Sequence, residues 1–393
     1  MIKRDLYLTQ IRPFIRTDLI KVIIGIRRSG KSTLMKQIME ELRDEGIKNN
    51  QIIYLNFEDY RIREYKDKDK LYDYLESNVL SDLKTYVFLD EIQEVENFEQ
   101  VVNSLHATKD VDIYLTGSNS KMLSGEYATL LTGRYKSFKV FPFSYKELVE
   151  YHQKKSKKEI FKEFIKYGGF PVIQGFDTED QKRSILMDLY DSIVIKDIVK
   201  RHNISGVDAL DKYISYLLNT VSSTFSAKNI INYFKNEGRV ISKETLYNYI
   251  GHAKEVLLIY SAQRYDLKGK KLLTTNEKYF VNDQGLRATR FNNENDIEKI
   301  LENIVFFELL RRGYEVTIGN IGDKEIDFIA VRNMQKIYIQ VTYLMETLKT
   351  REREFGSLNL IKDQYPKYVL SLDEVDFSQQ GIQHKNIIDF LLE

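Results

Sequence analysis

An apolar run followed by a glycine-rich turn and a lysine constrains this chain more than any other feature. Residues 19–24 are rich in β-branched side chains, which favour a buried strand, and residues 25–32 fit the pattern G-x-x-x-x-G-K-[ST]. The two glycines let the backbone curl so that successive N–H groups face one centre, and a helix beginning near Lys31 adds the positive end of its dipole. The segment therefore predicts a phosphate-binding loop (P-loop) between a strand and a helix.

Each residue type in this loop has an expected task when the ligand is ATP. Lys31 is expected to contact the β- and γ-phosphates, and the Ser32 hydroxyl is expected to be a ligand of Mg²⁺. The residues expected to surround the nucleotide are Gly25, Arg27, Arg28, Ser29, Gly30, Lys31, Ser32 and Thr33.

A second short apolar run, residues 85–91, ends in two carboxylates and follows a polar helical stretch at 67–83. This is the pattern of a Walker B strand. Asp90 is expected to hold Mg²⁺ through water, and Glu91 is expected to orient and deprotonate the water that attacks the γ-phosphate.

Two further residues are candidates for sensing the γ-phosphate. The strand predicted at 111–116 is followed by a polar tail, in which Asn119 is the expected sensor and Thr116 and Ser118 are its neighbours. Arg134 stands just before a last strand at 135–141. It is a candidate either to complete the γ-phosphate site in cis or to reach a neighbouring subunit of a homo-oligomer as an arginine finger, and the alternative is a surface arginine that caps a turn.

Composition excludes several classes of protein. The 393 residues include no cysteine, so disulfides and zinc-thiolate sites are impossible and a reducing compartment is expected. No stretch approaches the ~20 apolar residues of a membrane span, and the N-terminal residues lack a signal-peptide core, so we expect a cytoplasmic protein without a membrane partner. The 59 basic and 58 acidic residues give a net charge of +1, so any nucleic-acid footprint must be local.

The alternation of strands and helices up to about residue 150 predicts a parallel sheet with helices on both faces. The lysine-rich helical pattern from 154 to 200 predicts a lid. Three helical segments then precede a predicted β-hairpin at 258–281, which together indicate a winged helix.

This predicted winged helix has two candidate contact surfaces for duplex DNA. The third helix offers Lys243, Thr245, Tyr247 and Asn248, and the wing offers Arg264, Lys268, Lys270, Lys271 and Lys278. Seven basic and three acidic residues lie between Ala262 and Arg290, a net charge of +4. Winged helices also dock proteins, so a protein partner stays open beside DNA.

The last segment has the layout of a PD-(D/E)xK nuclease with a broken signature. A helix carries Glu302 and a strand carries Asp327, but the paired strand has Gln340 and Thr342 where a carboxylate and a lysine are expected. We therefore expect a retained fold without cleavage. A nuclease would need a cation from elsewhere, such as Arg351 or Arg353.

These motifs together resemble the prokaryotic AAA-type ATPase family whose ATPase domain is fused to a C-terminal domain of unknown function with a restriction-nuclease-like core. The resemblance also rests on the segments 130–134 (LLTGR), 141–147 (FPFSYKE) and 168–171 (GGFP). It implies an ATPase core, a helical lid, a winged helix and a degenerate nuclease fold, with no defined substrate.

The expected fold is α/β, a P-loop NTPase of the AAA type with appended domains. The expected domains are the ATPase core at 1–150, the lid at 151–204, the winged helix at 205–290 and the nuclease-like domain at 291–393. The expected function is Mg²⁺-dependent ATP hydrolysis that drives a conformational switch on a DNA or protein partner. The alternatives are an ATP-gated DNA- or protein-binding module with little turnover, or a metal-dependent nuclease.

Overall fold

The computed structural model describes residues 2–120, 131, 133–291 and 296–393. Its contacts divide the chain into two compact units, Met1–Pro142 with Glu255–Leu257, and Phe143–Lys254 with Leu258–Glu393. The contacts of the first segment therefore end at Pro142. The helices at 157–191, predicted as a lid of the ATPase core, belong by their contacts to the second unit.

The described part of the first unit contains a five-stranded sheet in which every pairing is parallel. Its strand order is β2-β3-β4-β1-β5, and its parallel pairings agree with the predicted parallel sheet. The strands are β1 (Ile20–Ile24), β2 (Ile52–Asn56), β3 (Thr85–Asp90), β4 (Val111–Gly117) and β5 (Tyr135–Lys139). The helices are α1 (Asp5–Ile11), α2 (Lys31–Asp44), α3 (Lys68–Asn78) and α4 (Phe98–Thr108).

The core of this unit explains why its central strands form. Strands β1, β3 and β4 are buried along their whole length, which fits their apolar, β-branched sequences. The apolar stripe of α2, including Leu34, Ile38 and Leu42, packs in the same core cluster as Ile23. Because the strands are parallel, their carboxyl ends all meet at one edge of the sheet, where the P-loop follows β1.

The second unit begins with capped helices. Ser144, Ser156 and Thr178 each accept a hydrogen bond from the backbone N–H three residues later, which starts α5, α6 and α7. The helices are α5 (Tyr145–Tyr151), α6 (Lys157–Tyr167), α7 (Glu179–Asp191), α8 (Val207–Asn219), α9 (Ala227–Asn236), α10 (Lys243–Glu255), α11 (Gln284–Ala288), α12 (Ile297–Arg311), α13 (Leu348–Asn359) and α14 (Ile387–Leu392). A π-helical segment, Ser192–Val199, extends α7.

A buried aspartate explains the glycine pair at 168–169. The Gly169 N–H donates to Asp283 Oδ2 at 2.7 Å, and the Gly285 N–H donates to its Oδ1 at 2.8 Å. A Cβ on Gly168 would lie 1.7 Å from the same Oδ1, so no larger residue fits. Burial raises the pKa of Asp283 to about 6.

The predicted hairpin is part of a larger sheet. Strands β6 (Ile259–Asp266) and β7 (Lys271–Val281) pair antiparallel, and β6 also pairs parallel with β8 (Glu315–Ile321). The sheet continues through β9 (Lys324–Arg332), β10 (Gln335–Val341), β11 (Lys367–Ser371) and β12 (Gln383–Asn386), in the order β12-β11-β10-β9-β8-β6-β7. The hairpin thus forms one edge of the C-terminal sheet. The sequence predicts instead that it belongs to a separate winged-helix domain ending at residue 290.

Candidate nucleotide site and acidic centre

The loop at 25–30 has the backbone that its glycines permit. A Cβ on Gly25 would lie 2.1 Å from the carbonyl oxygen of Val140 and 2.6 Å from Ser29 Oγ, so only glycine fits there. Gly30 has φ 97°, in the left-handed region that favours glycine, and α2 begins at the next residue. The strand, loop and helix predicted from the sequence are therefore present.

Lys31 and Glu91 form an ion pair at the carboxyl edge of the sheet. Nζ of Lys31 lies 3.2 Å from Oε1 of Glu91 and 3.1 Å from the carbonyl oxygen of Gly25, and the lysine is 3% exposed. Gln93 donates from Nε2 to the other carboxylate oxygen at 2.6 Å. Burial opposes ionisation of Glu91, but Lys31 and Gln93 outweigh it and hold its pKa below the usual value.

Thr116 joins the two carboxylates of the Walker B segment. Its hydroxyl donates to Asp90 Oδ1 at 2.5 Å and accepts the backbone N–H of Glu91 at 2.8 Å. The second oxygen of Asp90 accepts from the Tyr54 hydroxyl at 2.9 Å. Burial and then the charge of Asp90 raise the pKa of Tyr54, so its hydroxyl stays a donor. These bonds fix the orientation of the fully buried Asp90.

Asn119 lies on the same edge of the sheet as the P-loop. Gly117, the last residue of β4, pairs with Ile24, the last residue of β1, so the tail after β4 follows at the P-loop end. The Asn119 amide is buried and donates to Glu255 Oε1 at 3.1 Å.

Arg134 lies at the other end of the sheet. Its carbonyl oxygen accepts the N–H of Ile20, the first residue of β1, at 2.9 Å, and β5 runs parallel to β1 from there. The rise of the strand puts roughly 15 Å between Arg134 and Gly25 along β1. The parallel register therefore places this exposed arginine beyond reach of the P-loop of its own chain, and the expected role in cis does not fit.

The remaining residues of the predicted nucleotide set lie on the loop and the first turn of α2. Ser32 and Thr33 are half-buried, and Arg28 is exposed with φ 66°. Arg27 pairs with Glu58 at 3.0 Å.

The predicted wing keeps only part of its positive charge available to a partner. Lys268, Lys270 and Lys271 are exposed at the hairpin turn, as expected. Lys278 is 5% exposed, and its Nζ lies 2.7 Å from Glu325 and 3.3 Å from Glu302. The expectation that Lys278 contacts phosphates is wrong for a physical reason, because its strand lies in the sheet and its ammonium is enclosed by carboxylates.

Lys278 lies in the acidic centre predicted from the nuclease-like pattern. Burial opposes its charge, but Glu302, Asp327 and Glu325 outweigh burial and raise the pKa of Lys278. Burial raises the pKa of Glu302 to about 7, against the lowering effect of Lys278. Burial first, and then the charge of Glu302, raise the pKa of Asp327 well above its usual value. The lysine therefore supplies positive charge inside this centre.

The two departures from the nuclease signature serve internal contacts. Gln340 accepts the Asp327 N–H at 2.8 Å and donates to Glu354 Oε2 at 3.0 Å, and Thr342 donates to Glu298 at 3.3 Å. Arg353 pairs with Glu354 at 2.6 Å.

Arg351, the other candidate for the cation missing from the nuclease signature, contacts a carbonyl oxygen and an aromatic ring. Arg351 donates to the Met345 carbonyl oxygen at 2.8 Å and stacks on the ring of Phe377.

Comparison with known proteins locates two family domains in the chain. An AAA domain matches residues 17–149, and a domain of unknown function, DUF8612, matches residues 158–296. An uncharacterized protein of Haemophilus influenzae is 38% identical over 400 residues, which span 100% of this chain and 99% of that protein. An uncharacterized protein of Methanocaldococcus jannaschii is 34% identical over 351 residues, 85% of this chain and 77% of that protein. The chain belongs to the family of these proteins.

The solved structures to which the AAA-domain protein is similar include one of a protein bound to DNA. The Aeropyrum pernix ORC1 protein in complex with DNA gives a TM-score of 0.34 at 9% identity, with 79% of this chain and 94% of that chain covered.

Among the helices that the structure describes in the AAA-domain protein, none is long and apolar enough to cross a membrane.

Two residues of the AAA domain contact the acid pair without any motif that predicts their role. Tyr54 and Gln93 hold the Walker B carboxylates, yet neither belongs to a recognisable motif. Tyr54 lies on β2, and only the pairing of β2 with β3 brings it to Asp90. Gln93 follows Glu91 by two residues, so its closeness to the acid pair was the one signal in the sequence.

Proposed function

We propose that this AAA-domain protein binds and hydrolyses ATP and uses the cycle to switch a DNA or protein partner. The observation that carries the proposal is the convergence of Lys31, Asp90 and Glu91 at one edge of the sheet, with Thr116 bonded to both members of the acid pair. Separate strands and a helix end contribute these groups, so their meeting is a property of the fold rather than of one motif.

In the proposed cycle, the ion pair between Lys31 and Glu91 makes ATP binding precede activation of the base. The phosphates of ATP compete with Glu91 for the ammonium of Lys31, since one buried lysine faces both. When Lys31 turns to the phosphates, the Glu91 carboxylate loses its counter-charge and becomes a stronger base. It then orients the attacking water and accepts its proton, while Gln93 and Thr116 keep the segment in place.

The residues present fit a magnesium ion. Ser32 and Asp90 offer the hydroxyl and carboxylate oxygens that Mg²⁺ prefers, and Tyr54 and Thr116 fix the direction of the carboxylate. A magnesium ion held by Ser32 and Asp90 would supply positive charge that stabilises the negative charge of the phosphates. In the same proposal Asn119 senses the γ-phosphate, and Arg134 acts as a finger in the site of a neighbouring copy.

A second candidate function is an ATP-gated binding module with little turnover. The exposed lysines at 268, 270 and 271 favour a phosphate-bearing partner such as duplex DNA, and the exposed Lys243 on α10 adds to them. Burial of Lys278 and the ion pair of Arg264 with Glu325 at 3.3 Å leave two charges of the predicted wing neutralised within the fold. A protein partner is the alternative for the same surface.

ATP turnover by the purified protein, with and without duplex DNA, separates the two candidates. Steady hydrolysis that Glu91→Gln abolishes supports the ATPase. Tight ATP binding without turnover supports the binding module.

We further propose that the acidic centre of the second unit does not cut nucleic acid. The enclosed ammonium of Lys278 occupies the neighbourhood of Glu302 and Asp327, where a nuclease holds its metal ion. Gln340 is engaged with Glu354 and a backbone N–H, which leaves it unsuited to replace a carboxylate ligand.

A further inference from the structure

Arg4 lies outside every motif of the nucleotide site, yet it contacts the P-loop directly. Its guanidinium donates from Nη1 to the carbonyl oxygen of Ser29 at 2.9 Å and from Nη2 to that of Phe141 at 2.8 Å. The residue is 1% exposed, and its own N–H donates to Gln37 of α2 at 3.0 Å. A buried cation thus ties the loop to the segment after β5.

The bond to Ser29 determines where a neighbouring donor points. In a trans peptide the C=O and the N–H of one unit point in opposite directions. Because Arg4 holds the Ser29 oxygen, the Gly30 N–H of the same peptide must face away from Arg4. The sequence of the loop alone does not fix this orientation, since a flip of the Ser29–Gly30 peptide changes φ of Gly30, and glycine tolerates positive φ, such as the 97° found here, as readily as negative φ.

We propose that Arg4 is a positioning residue for the P-loop, which holds the Ser29–Gly30 peptide so that the Gly30 N–H faces the phosphates of ATP. This inference rests on the proposed nucleotide binding and adds a residue that no motif contains. Pre-set N–H groups bind phosphate better than ones that must flip, because the reorganisation has been completed beforehand.

The shape of arginine suits this task. A guanidinium presents several N–H groups in a fixed fork and reaches two carbonyl oxygens at once, whereas the ammonium of lysine is a single point charge. Arg4→Lys therefore keeps the charge and removes at least one of the two bonds.

Nucleotide titration of Arg4→Lys tests the proposal beside two control variants. Tyr7→Phe removes the hydroxyl that accepts the Phe141 N–H at 3.1 Å, and so loosens the same segment without touching Ser29. Arg12→Gln removes an exposed ion pair with Glu41 from the same region of the chain. We expect Arg4→Lys to weaken the binding of both ATP and ADP about tenfold, the worth of one charge-assisted hydrogen bond.

Turnover adds a readout that a purely structural role would not give. At saturating ATP, kcat of Arg4→Lys should stay within about threefold of the parent, because loop orientation acts mainly on ground-state binding. Tyr7→Phe and Arg12→Gln should bind ATP within about twofold of the parent, since both leave the Ser29 contact in place. Arg4→Gln, whose amide reaches at most one carbonyl, serves as a second variant, and thermal melts check that each variant is folded.

The possible outcomes distinguish failure of the role of Arg4 from failure of the proposed ATP binding. A parent protein that does not bind ATP defeats the proposed function. A parent that binds ATP while Arg4→Lys binds equally well, or while Tyr7→Phe is weakened as much, overturns the role of Arg4. Failure of both Arg4 variants to fold would assign Arg4 to the fold instead of the loop and overturn it as well.

Discussion

Nζ of Lys31 lies 3.2 Å from Oε1 of Glu91, so the two groups with the most different tasks in the proposed reaction form one buried ion pair. Each lowers the cost of burying the other. In the proposed reaction, phosphate bound at Lys31 would therefore also change Glu91 and couple substrate binding to activation of the base.

Removing the lysine should weaken nucleotide binding. Lys31→Ala deletes the only charge of this pair that attracts phosphate and leaves the Glu91 carboxylate facing the ligand. We expect the ATP dissociation constant to rise at least tenfold, as measured by titration with a fluorescent ATP analogue. Lys36→Ala, an exposed position on the same helix, is the control and should bind as the parent does. Unchanged affinity in Lys31→Ala would contradict the assignment of the loop.

The position of Arg134 predicts complementation between two inactive variants. Arg134→Ala should bind ATP but lose most turnover, because a finger supplies charge only in the transition state. If the finger acts on a neighbouring copy, addition of Glu91→Gln, which keeps its own Arg134, should restore hydrolysis by Arg134→Ala. Activity of the mixture at the sum of the separate activities would speak against a shared site.

The local parts of the fold could be predicted from the sequence, and the non-local parts could not. The strand, loop and helix around residues 20–44 follow from periodicity and glycine placement within a short window. Membership of the hairpin in the C-terminal sheet depends on pairing of Arg264 with Ile318, far apart in the chain. The distance of Arg134 from the P-loop could not be predicted for the same reason, because it is set by the register of β5 against β1.

In the candidate nucleotide site, too, residues with a local sequence signal could be predicted and residues that act through non-local contacts could not. Lys31, Asp90 and Glu91 were predicted because their spacing and flanking strands carry the signal. Tyr54 and Arg4 were missed, since each acts through a contact that only the folded chain creates. The prediction for Lys278 is wrong because a lysine on a predicted hairpin is usually exposed. The carboxylates that enclose it, Glu302 and Glu325, lie far away in the sequence, so no local pattern predicts the contact.

The hairpin turn gives a prediction about salt. Replacement of Lys268, Lys270 and Lys271 by alanine should weaken duplex DNA binding and flatten its log-log salt dependence by about 0.9 for each phosphate that the variant no longer neutralises. Alanine at the equally exposed Lys154, Lys157 and Lys162 is the matched control. Fluorescence anisotropy over a salt series measures the slopes. No binding by the parent at low salt, or an unchanged slope, would favour a protein partner for this surface.

The acidic centre should be inert toward nucleic acid. We expect no Mg²⁺- or Mn²⁺-dependent cleavage of plasmid, linear duplex or single strands, with or without ATP, since Lys278 neutralises the carboxylates that would hold the metal. Asp327→Ala should leave ATP turnover unchanged if its melting profile is preserved. Gel assays report cleavage directly. Cutting by the parent that Asp327→Ala abolishes would reverse this conclusion and make Lys278 the first candidate for the missing catalytic cation.

Turnover by Glu91→Gln tests the central claim most directly. Glutamine keeps the size of the side chain and its contact with Gln93 but cannot accept a proton from water. The variant should bind ATP at least as tightly as the parent, because glutamine no longer competes with the phosphates for the charge of Lys31, while single-turnover hydrolysis by the variant falls roughly 100-fold or more. Near-normal hydrolysis by Glu91→Gln would contradict the account.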